Sequence, residues 1–543
     1  MKELIKSFYT EIGNKKVFYI PLILLLTVGY TFSAYNRTVS WDDLLKDSYR
    51  EAFWTSRWGM NIWTILLGIT DLNPFVDRFV SVFFLCIGAV LTCCIFYYIS
   101  NKRNEVIAYT VLASMFVSYP LMIEIWEYTG ADVMVTGNIV LASLCLLYLL
   151  VNRKSIGFRH FLVATLLMLI PVSSYEVAIF FYVSFVCIII FYHYYILKEE
   201  GCTLKKWISN LFYFAIPAVA AVILRYVVGF AIQLIFQMPY RNAGNTGLKW
   251  GVNDIYHDLI GENGIHYVIK GLVYFPITVF VLTTLVYVIV ITFKSIKQKS
   301  AGMFALGAFI VISLFTQAIL QCDLLPYRNA QTITLFLSFV FFEFTLWISS
   351  IRSSFLKNIV YGSILFLCWH QSVYVNKILS LNNLRYDNET SVIRNIGQRI
   401  ISDYNKKTVV VVNPYENSKW INNRISVDET KWNGKLFYNI VNKIYSSMEY
   451  PHNARYVQSC VTSNSALYAS LKNYFSYSGF DIDLIHPINT PGYKDRKADD
   501  LKLQLKALEI SRETKMRPYE IKDMGEYIIV SLGNGEFPGY MFK

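Results

Sequence analysis

Apolar residues in this chain gather in blocks of about twenty rather than alternating with polar ones. Stretches long enough to cross about 30 Å of hydrocarbon lie near residues 17–35, 79–99, 105–122, 133–151, 208–236, 272–293, 302–320, 330–348 and 359–376. The run 161–196 is too long for one span. Its centre reads Pro171-Val-Ser-Ser-Tyr-Glu176, a polar break that predicts two helices joined by a short turn. The pattern therefore predicts a polytopic α-helical membrane protein with about 11 transmembrane helices. The run Asn61–Thr70 is too short to cross, and is expected to lie along the interface with Trp58 and Trp63 as anchors.

Beyond residue 376 the pattern changes. Val409–Val412 and Tyr527–Val530 are short β-branched runs of the kind that form buried strands, while 391–404, 434–447 and 464–474 have helical apolar spacing. The expected organisation is a transmembrane domain over 1–376 and a small α/β domain over 377–543.

Composition agrees. Of 543 residues, 55% are hydrophobic and 16% charged, against about 25% charged in soluble domains, so an ordinary cytosolic enzyme is not expected. The net charge of +12 divides into 27 Lys+Arg against 20 Asp+Glu in 1–376, and 23 against 18 in 377–543. Neither part has a dense basic stripe, so no nucleic-acid partner is expected. The basic residues instead report topology. With a cytoplasmic N-terminus, the inner segments hold 17 Lys+Arg and the outer ones nine, leaving Arg225 inside a span. The odd span count then makes the tail extracytoplasmic. Six of the nine cysteines, Cys86, Cys93, Cys94, Cys145, Cys187 and Cys368, sit in apolar runs, which argues against a disulfide framework. The first span lacks a small-residue cleavage site and is expected to remain as an anchor.

The first outer loop, residues 40–59, mixes charges with aromatics. If it is helical, Asp43, Asp47, Arg50 and Glu51 share one face. A carboxylate there, partly desolvated beside the bilayer, suits a general base acting on a hydroxyl; a solvated amphipathic helix explains the same spacing. Glu124 and Glu127 occupy the second outer turn, and Glu176 interrupts an apolar hairpin. Tyr240-Arg241 opens the longest outer loop of the transmembrane part, and Tyr327-Arg328 precedes a span. Arg225 lies within a span and needs an anion: a carboxylate, a phosphate or a lipid head group. Asp254, His257 and Asp258 have a metal-compatible spacing, but a solvated loop helix accounts for them better. Glu343 reads as a packing or snorkelling residue. The tail carries no phosphate loop, CxxC or HExxH, so no chemistry is assigned to it.

The layout and several short motifs carry a resemblance. A short basic N-terminus and one span lead into Trp41-Asp-Asp-Leu-Leu-Lys-Asp47, then Ser56-Arg-Trp-Gly59. Tyr119-Pro-Leu-Met-Ile-Glu124, Ser174-Tyr-Glu176 and Leu325-Pro-Tyr-Arg328 follow. Over roughly residues 1–350 this resembles the bacterial glucosyltransferase II family, serotype-modifying glycosyltransferases of surface polysaccharide (O-antigen) with the GT-C membrane fold. The resemblance implies a catalytic carboxylate at Asp42 or Asp43. The family pattern often places Arg a few residues after the acidic pair; here Arg50 comes later, with Lys46 and Asp47 between.

The resemblance further implies transfer of a hexose, glucose by the family's pattern, at the outer face of the bacterial plasma (inner) membrane. The donor is a polyprenyl-phosphate-linked sugar, made by a donor synthase and flipped by a separate protein. The acceptor is a surface polysaccharide or glycolipid of the cell envelope. On this reading Arg225, Arg241 or Arg328 holds the donor phosphate. Asp47, Arg50, Arg57, Trp58, Glu124, Glu127, Glu176 and Tyr327 are candidate substrate contacts. No cofactor or metal is expected, because a phosphate monoester leaves without one. The alternatives are a lipid-linked saccharide flippase or transporter, which would put polar residues deep in several spans, a polysaccharide polymerase or ligase, and a non-catalytic scaffold.

Overall fold

The computed structural model describes residues 1–36, 57–67, 74–101, 104–120, 126, 131–153, 157–196, 204–237, 275–321, 331–404, 407–413, 475–476, 478–485 and 498–532. The described residues fall into two units, one up to Lys377 and one from Ile378 onward.

The first unit is helical. Its elements are α1 (Lys2–Phe8), α2 (Lys16–Tyr35), α3 (Gly59–Leu67), α4 (Pro74–Ile99), α5 (Val106–Ser118), α6 (Ala131–Asn152), α7 (Phe158–Ser174), α8 (Val177–Phe191), α9 (Leu204–Phe236), α10 (Phe275–Lys297), α11 (Ala301–Ser313), α12 (Thr316–Gln321) and α13 (Gln331–Ser349). A last helix, α14, runs Ser354–Tyr404 and belongs to both units. Among the described residues seven helices are long and apolar enough to cross a membrane: α2, α4, α6, α8, α9, α10 and α13. Three more, α5, α7 and α11, are apolar but shorter. An α-helical membrane protein is thus what the chain forms, with seven full-length candidates where the sequence pattern led one to expect about 11.

Local chemistry explains several boundaries. The helix α5 stops at Ser118, two residues before Pro120, whose ring disfavours helical backbone in the residue ahead of it. The polar break at 171–176 does separate α7 from α8, and Pro171 sits inside the last turn of α7. The stretch 359–376 is not a separate span. From Ser363 to Ile396 the sequence holds no Gly or Pro, so nothing stops the helix when its side chains turn polar.

Packing follows side-chain size. The helix α6 is buried on most sides, against α4 and α7. Glycines permit its closest approaches: a Cβ at Gly137 would lie 2.7 Å from the Trp63 ring. A Cβ at Gly59 would lie 2.3 Å from Ser173 Oγ and 2.7 Å from the backbone nitrogen of Ser174. These contacts turn α3 opposite to expectation. Trp58 and Trp63 are buried in the unit, while Ile65 and Leu66 face out. By contrast α9 exposes Phe212, Val219, Ile223, Val227 and Phe230, the apolar surface that lipid covers in a bilayer.

The second unit contains β1 (Thr408–Val412), α15 (Ala498–Glu513), β2 (Ile521–Asp523) and β3 (Tyr527–Ser531). The strand order is β1-β3-β2. The pair β1/β3 is parallel, with Thr408 opposite Tyr527 and Val412 opposite Ser531; β2/β3 is antiparallel, with Ile521 opposite Val530. On the free side of β1, Val409 donates to Asp483 O and accepts from Ile485 N. Val409 to Val412 and Ile528 to Val530 are fully buried against Ile393, Ile396 and Ile400 of α14 and Ala507 of α15. The two strand expectations and the 391–404 helix are found; 434–447 and 464–474 lie outside the described residues. At the strand ends Asn413, with φ of 50°, donates to the hydroxyls of Ser511 and Ser531 at 2.9 and 3.2 Å. This knot fastens α15 to both parallel strands.

Candidate functional site

The turn between α7 and α8 brings together the charged residues that the sequence scattered. Ser173 and Ser174 turn their hydroxyls back onto Ile170 O, Tyr175 becomes extended, and Glu176 opens α8. A carboxylate at a helix N-terminus gains from the exposed N–H groups there.

Two guanidiniums converge on it. Arg57, immediately ahead of α3, places Nη2 3.2 Å from Glu176 Oε2. Arg225, two-thirds of the way along α9, places Nη2 2.5 Å from Glu176 Oε1. The Trp58 indole donates to Arg225 O at 3.2 Å, and Arg57 lies over the Tyr175 ring at 5.3 Å. Burial alone would raise the Glu176 carboxyl, but the charges of Arg57 and Arg225 outweigh it and hold the group below its ordinary value.

The cluster is lopsided in access. Both arginines engage the same carboxylate, one at each oxygen. The Arg225 side chain is 6% exposed, whereas Arg57 and Glu176 are 29% and 23% exposed, so the open side is theirs. Arg57 Nε is buried with no hydrogen-bond partner. An arrangement of this kind accepts a further anion with several oxygens, because a guanidinium fork matches carboxylate and phosphate equally well.

A second polar knot stands at the same end of the bundle, where α2 finishes and α4 and α6 begin. Arg78 is buried and donates to Ser33 O at 2.9 Å, Asn36 O at 2.8 Å and Trp126 O at 3.4 Å. It thereby caps the last turn of α2 and ties it to the segment around Trp126. Tyr30 packs on the Trp126 ring at 4.7 Å and donates to Val117 O. Asp132 is also buried and caps its own helix through the backbone nitrogen of Val133 at 2.8 Å.

Of the residues singled out in the sequence, Arg57, Glu176 and Arg225 meet in one site and Trp58 supports it. The choice left open for Arg225 now has a carboxylate partner, Glu176. Asp42, Asp43, Asp47, Arg50, Glu124, Glu127, Arg241, Tyr327 and Arg328 lie outside the described residues, as do Asp254, His257 and Asp258. Sequence reading missed Arg78 as a structural cation; its signal was an adjacent acid–base pair, Asp77-Arg78, opening an apolar run. Among the described residues no group of three His, Cys, Asp or Glu is placed to hold a metal ion. No family model matches the chain, and neither does any curated protein or solved structure.

Proposed function

We propose that this chain is a membrane glycosyltransferase that moves a hexose from a polyprenyl-phosphate donor to a surface polysaccharide or glycolipid. The work is done at the outer face of the bacterial plasma membrane. The observation that supports the reading most is the pairing of Arg57 and Arg225 on Glu176 at one end of an apolar helix bundle. It is a cationic site open on one side, and one of its arginines stands on a helix whose outer surface is apolar.

The division of labour follows from the donor's chemistry. Its prenyl tail stays in lipid along the exposed face of α9, and its phosphate sits at the guanidiniums. Asp42 or Asp43 takes the proton of the acceptor hydroxyl as that oxygen attacks the anomeric carbon. The bond from the anomeric carbon to the phosphate oxygen breaks, and the phosphate departs with the electron pair, its added charge stabilised by Arg57 and Arg225. The protonated carboxylic acid then returns its proton to water. Arg241 and Arg328 are further cations for the same phosphate. The GT-C fold, the remaining spans, the cytoplasmic N-terminus and the extracytoplasmic tail belong to this proposal.

The test is transfer by the purified chain in liposomes, with radiolabelled hexose on a polyprenyl phosphate and envelope polysaccharide as acceptor. One hexose per branch point is expected. Transfer of preassembled chains would make the protein a polymerase or ligase. Donor crossing the bilayer without transfer would make it a flippase. Impermeant labelling of residues 377–543 on intact spheroplasts tests the orientation, and protection of that tail would overturn it.

A further inference from the structure

We propose that α1 is a docking element for anionic phospholipid: it lies in the headgroup layer at one end of the bundle, with Lys2 and Lys6 reaching the lipid phosphates. The inference stands apart from the transferase reading, which concerns the other end of the bundle.

The placement follows from what α1 packs on. It continues through a π-helical turn, Tyr9–Gly13, and the chain then bends at Lys15, whose backbone is extended, into α2. Phe8 meets Phe18 at 5.8 Å between ring centroids, although ten residues of unbroken helix would set them about 15 Å apart. The same ring meets Tyr97 at 5.6 Å and Tyr109 at 6.0 Å, and Ser7 Oγ lies 2.9 Å from the Tyr97 hydroxyl. These partners stand in the first turn of α2, the last turn of α4 and the first turn of α5. The helix therefore crosses the bundle where three helices begin or end, rather than prolonging α2 outward.

Its side chains sort into rows, because residues four apart share a face. Leu4, Phe8 and Ile12 are buried against the bundle. Beside them run Met1, Ile5 and Tyr9, which are 44%, 38% and 62% exposed. Beyond these stand Lys2 and Lys6, both exposed. An apolar row between the bundle and a basic row is the order that an interfacial helix needs. The apolar row enters the acyl boundary, while the lysine stems carry their charges up to the phosphates.

The level of the bilayer is marked independently. Lys15 and Lys16 are exposed and stand directly ahead of Val17, Ile20, Ile23 and Leu24, the outward apolar face of α2. Hydrocarbon thus begins just past Lys16, beside the Phe18 ring that α1 packs on. Charge selects the lipid. Up to Lys16 the chain holds Lys2, Lys6, Lys15 and Lys16 against Glu3 and Glu11, and Glu11 accepts from Ser7. Among the described residues none of these lysines forms an ion pair. Each lysine beside an anionic surface is worth on the order of fivefold in affinity.

The experiment uses the full chain in nanodiscs made of equal parts phosphatidylglycerol and phosphatidylcholine. Tyr9→p-benzoylphenylalanine puts a photoreactive group on the apolar row, and peptide mass identifies what it captures. Phospholipid adducts are expected, with phosphatidylglycerol in excess by about threefold or more. Adding Lys2→Gln and Lys6→Gln is expected to return the two lipids toward equal capture, and high salt to act in the same direction. Equal capture before those changes overturns the inference, because charge then plays no part. An excess that survives both lysine substitutions overturns it too, as does capture of no lipid or of a second copy of the chain alone. Should the photoreactive chain fail to fold, hydrogen exchange of the unaltered protein decides. The amides of α1 are expected to exchange more slowly in the mixed nanodiscs than in pure phosphatidylcholine, and equal exchange overturns the docking.

Discussion

The two ends of the helix bundle satisfy their polar groups by opposite means. At the end where α7 turns into α8, charged side chains dominate: Arg57 and Arg225 on Glu176, and Arg78 on three backbone carbonyls. At the other end, among the described residues, the donors are chiefly neutral hydroxyls. Tyr97 meets Ser7, Tyr109 meets Ser100, Tyr148 meets His160, and Tyr98 and Tyr213 donate to Leu150 O and Leu149 O. Charged side chains take part there too: Arg153 donates to Asn210 and is partly exposed, and Glu11 accepts from Ser7. A tyrosine ends helices cheaply because its ring is apolar and only its hydroxyl needs a partner. Buried guanidiniums are an expensive way to the same end. Among the described residues the buried guanidiniums stand at one end, so that is where a role besides folding is to be sought.

That contrast breaks most readily at Arg225. Replacing it with Leu strips Glu176 of its more buried partner, and breaking a buried pair costs about 3–5 kcal/mol. A large fall in the thermal midpoint in detergent is expected, with Arg225→Lys losing much less. An unchanged midpoint for Arg225→Leu would mean that charge does not organise this end. Arg78→Met comes next. Three carbonyls would lose a charged donor, for about 3 kcal/mol in all if water reaches two of them. Hydrogen exchange should quicken at Ser33 to Asn36 and leave α13 unaffected; uniform quickening would make Arg78 a global packing residue.

Acid sharpens the same contrast. Glu176 is held below its ordinary value by the two arginines. A group with a depressed folded value contributes stability that is complete above its unfolded value, about 4.3, and is lost as pH falls through the folded one. The difference in thermal midpoint between the unaltered chain and Glu176→Gln is expected to be flat from about pH 8 to 5 and to shrink below about pH 4. Shrinkage already between pH 7 and 5 would show that the arginines do not set the titration.

How far all this was legible in the sequence depended on range. Most blocks of apolar residues are local signals, as are the break at 171–176 and the runs Val409–Val412 and Tyr527–Val530; the break and the two runs gave the elements found, and most blocks gave helices. The cost of an isolated Arg225 was also readable, because any anion would answer it. Which anion was not, since Glu176 lies 49 residues away and Arg57 a further 119 from it. The direction of Trp63 depended on Gly137, 74 residues on, which makes room for its ring, and no periodicity within α3 encodes that. The overlong α14 failed differently. A change from apolar to polar side chains marks a change of surroundings, and it was read as a helix end although no Gly or Pro stood there.

The smallest expected effect lies at the neutral end. Tyr109→Phe deletes one hydroxyl bonded to Ser100 Oγ at 2.9 Å and keeps the ring that packs on Phe8, Tyr97 and Phe342. Ser100 retains a second partner in Tyr97 O at 3.3 Å, so its own donor is not stranded. The Ser100 bond contributes the net worth of one hydrogen bond, about 1 kcal/mol. The measurement is the thermal midpoint of Tyr109→Phe beside that of Arg78→Met in the same detergent. A tyrosine variant as damaging as the arginine one would remove the distinction between the ends, because hydroxyls would then be as indispensable as charges. A loss of about a third or less keeps it, and leaves the arginine-rich end as the place where stability and ligand chemistry compete for the same side chains.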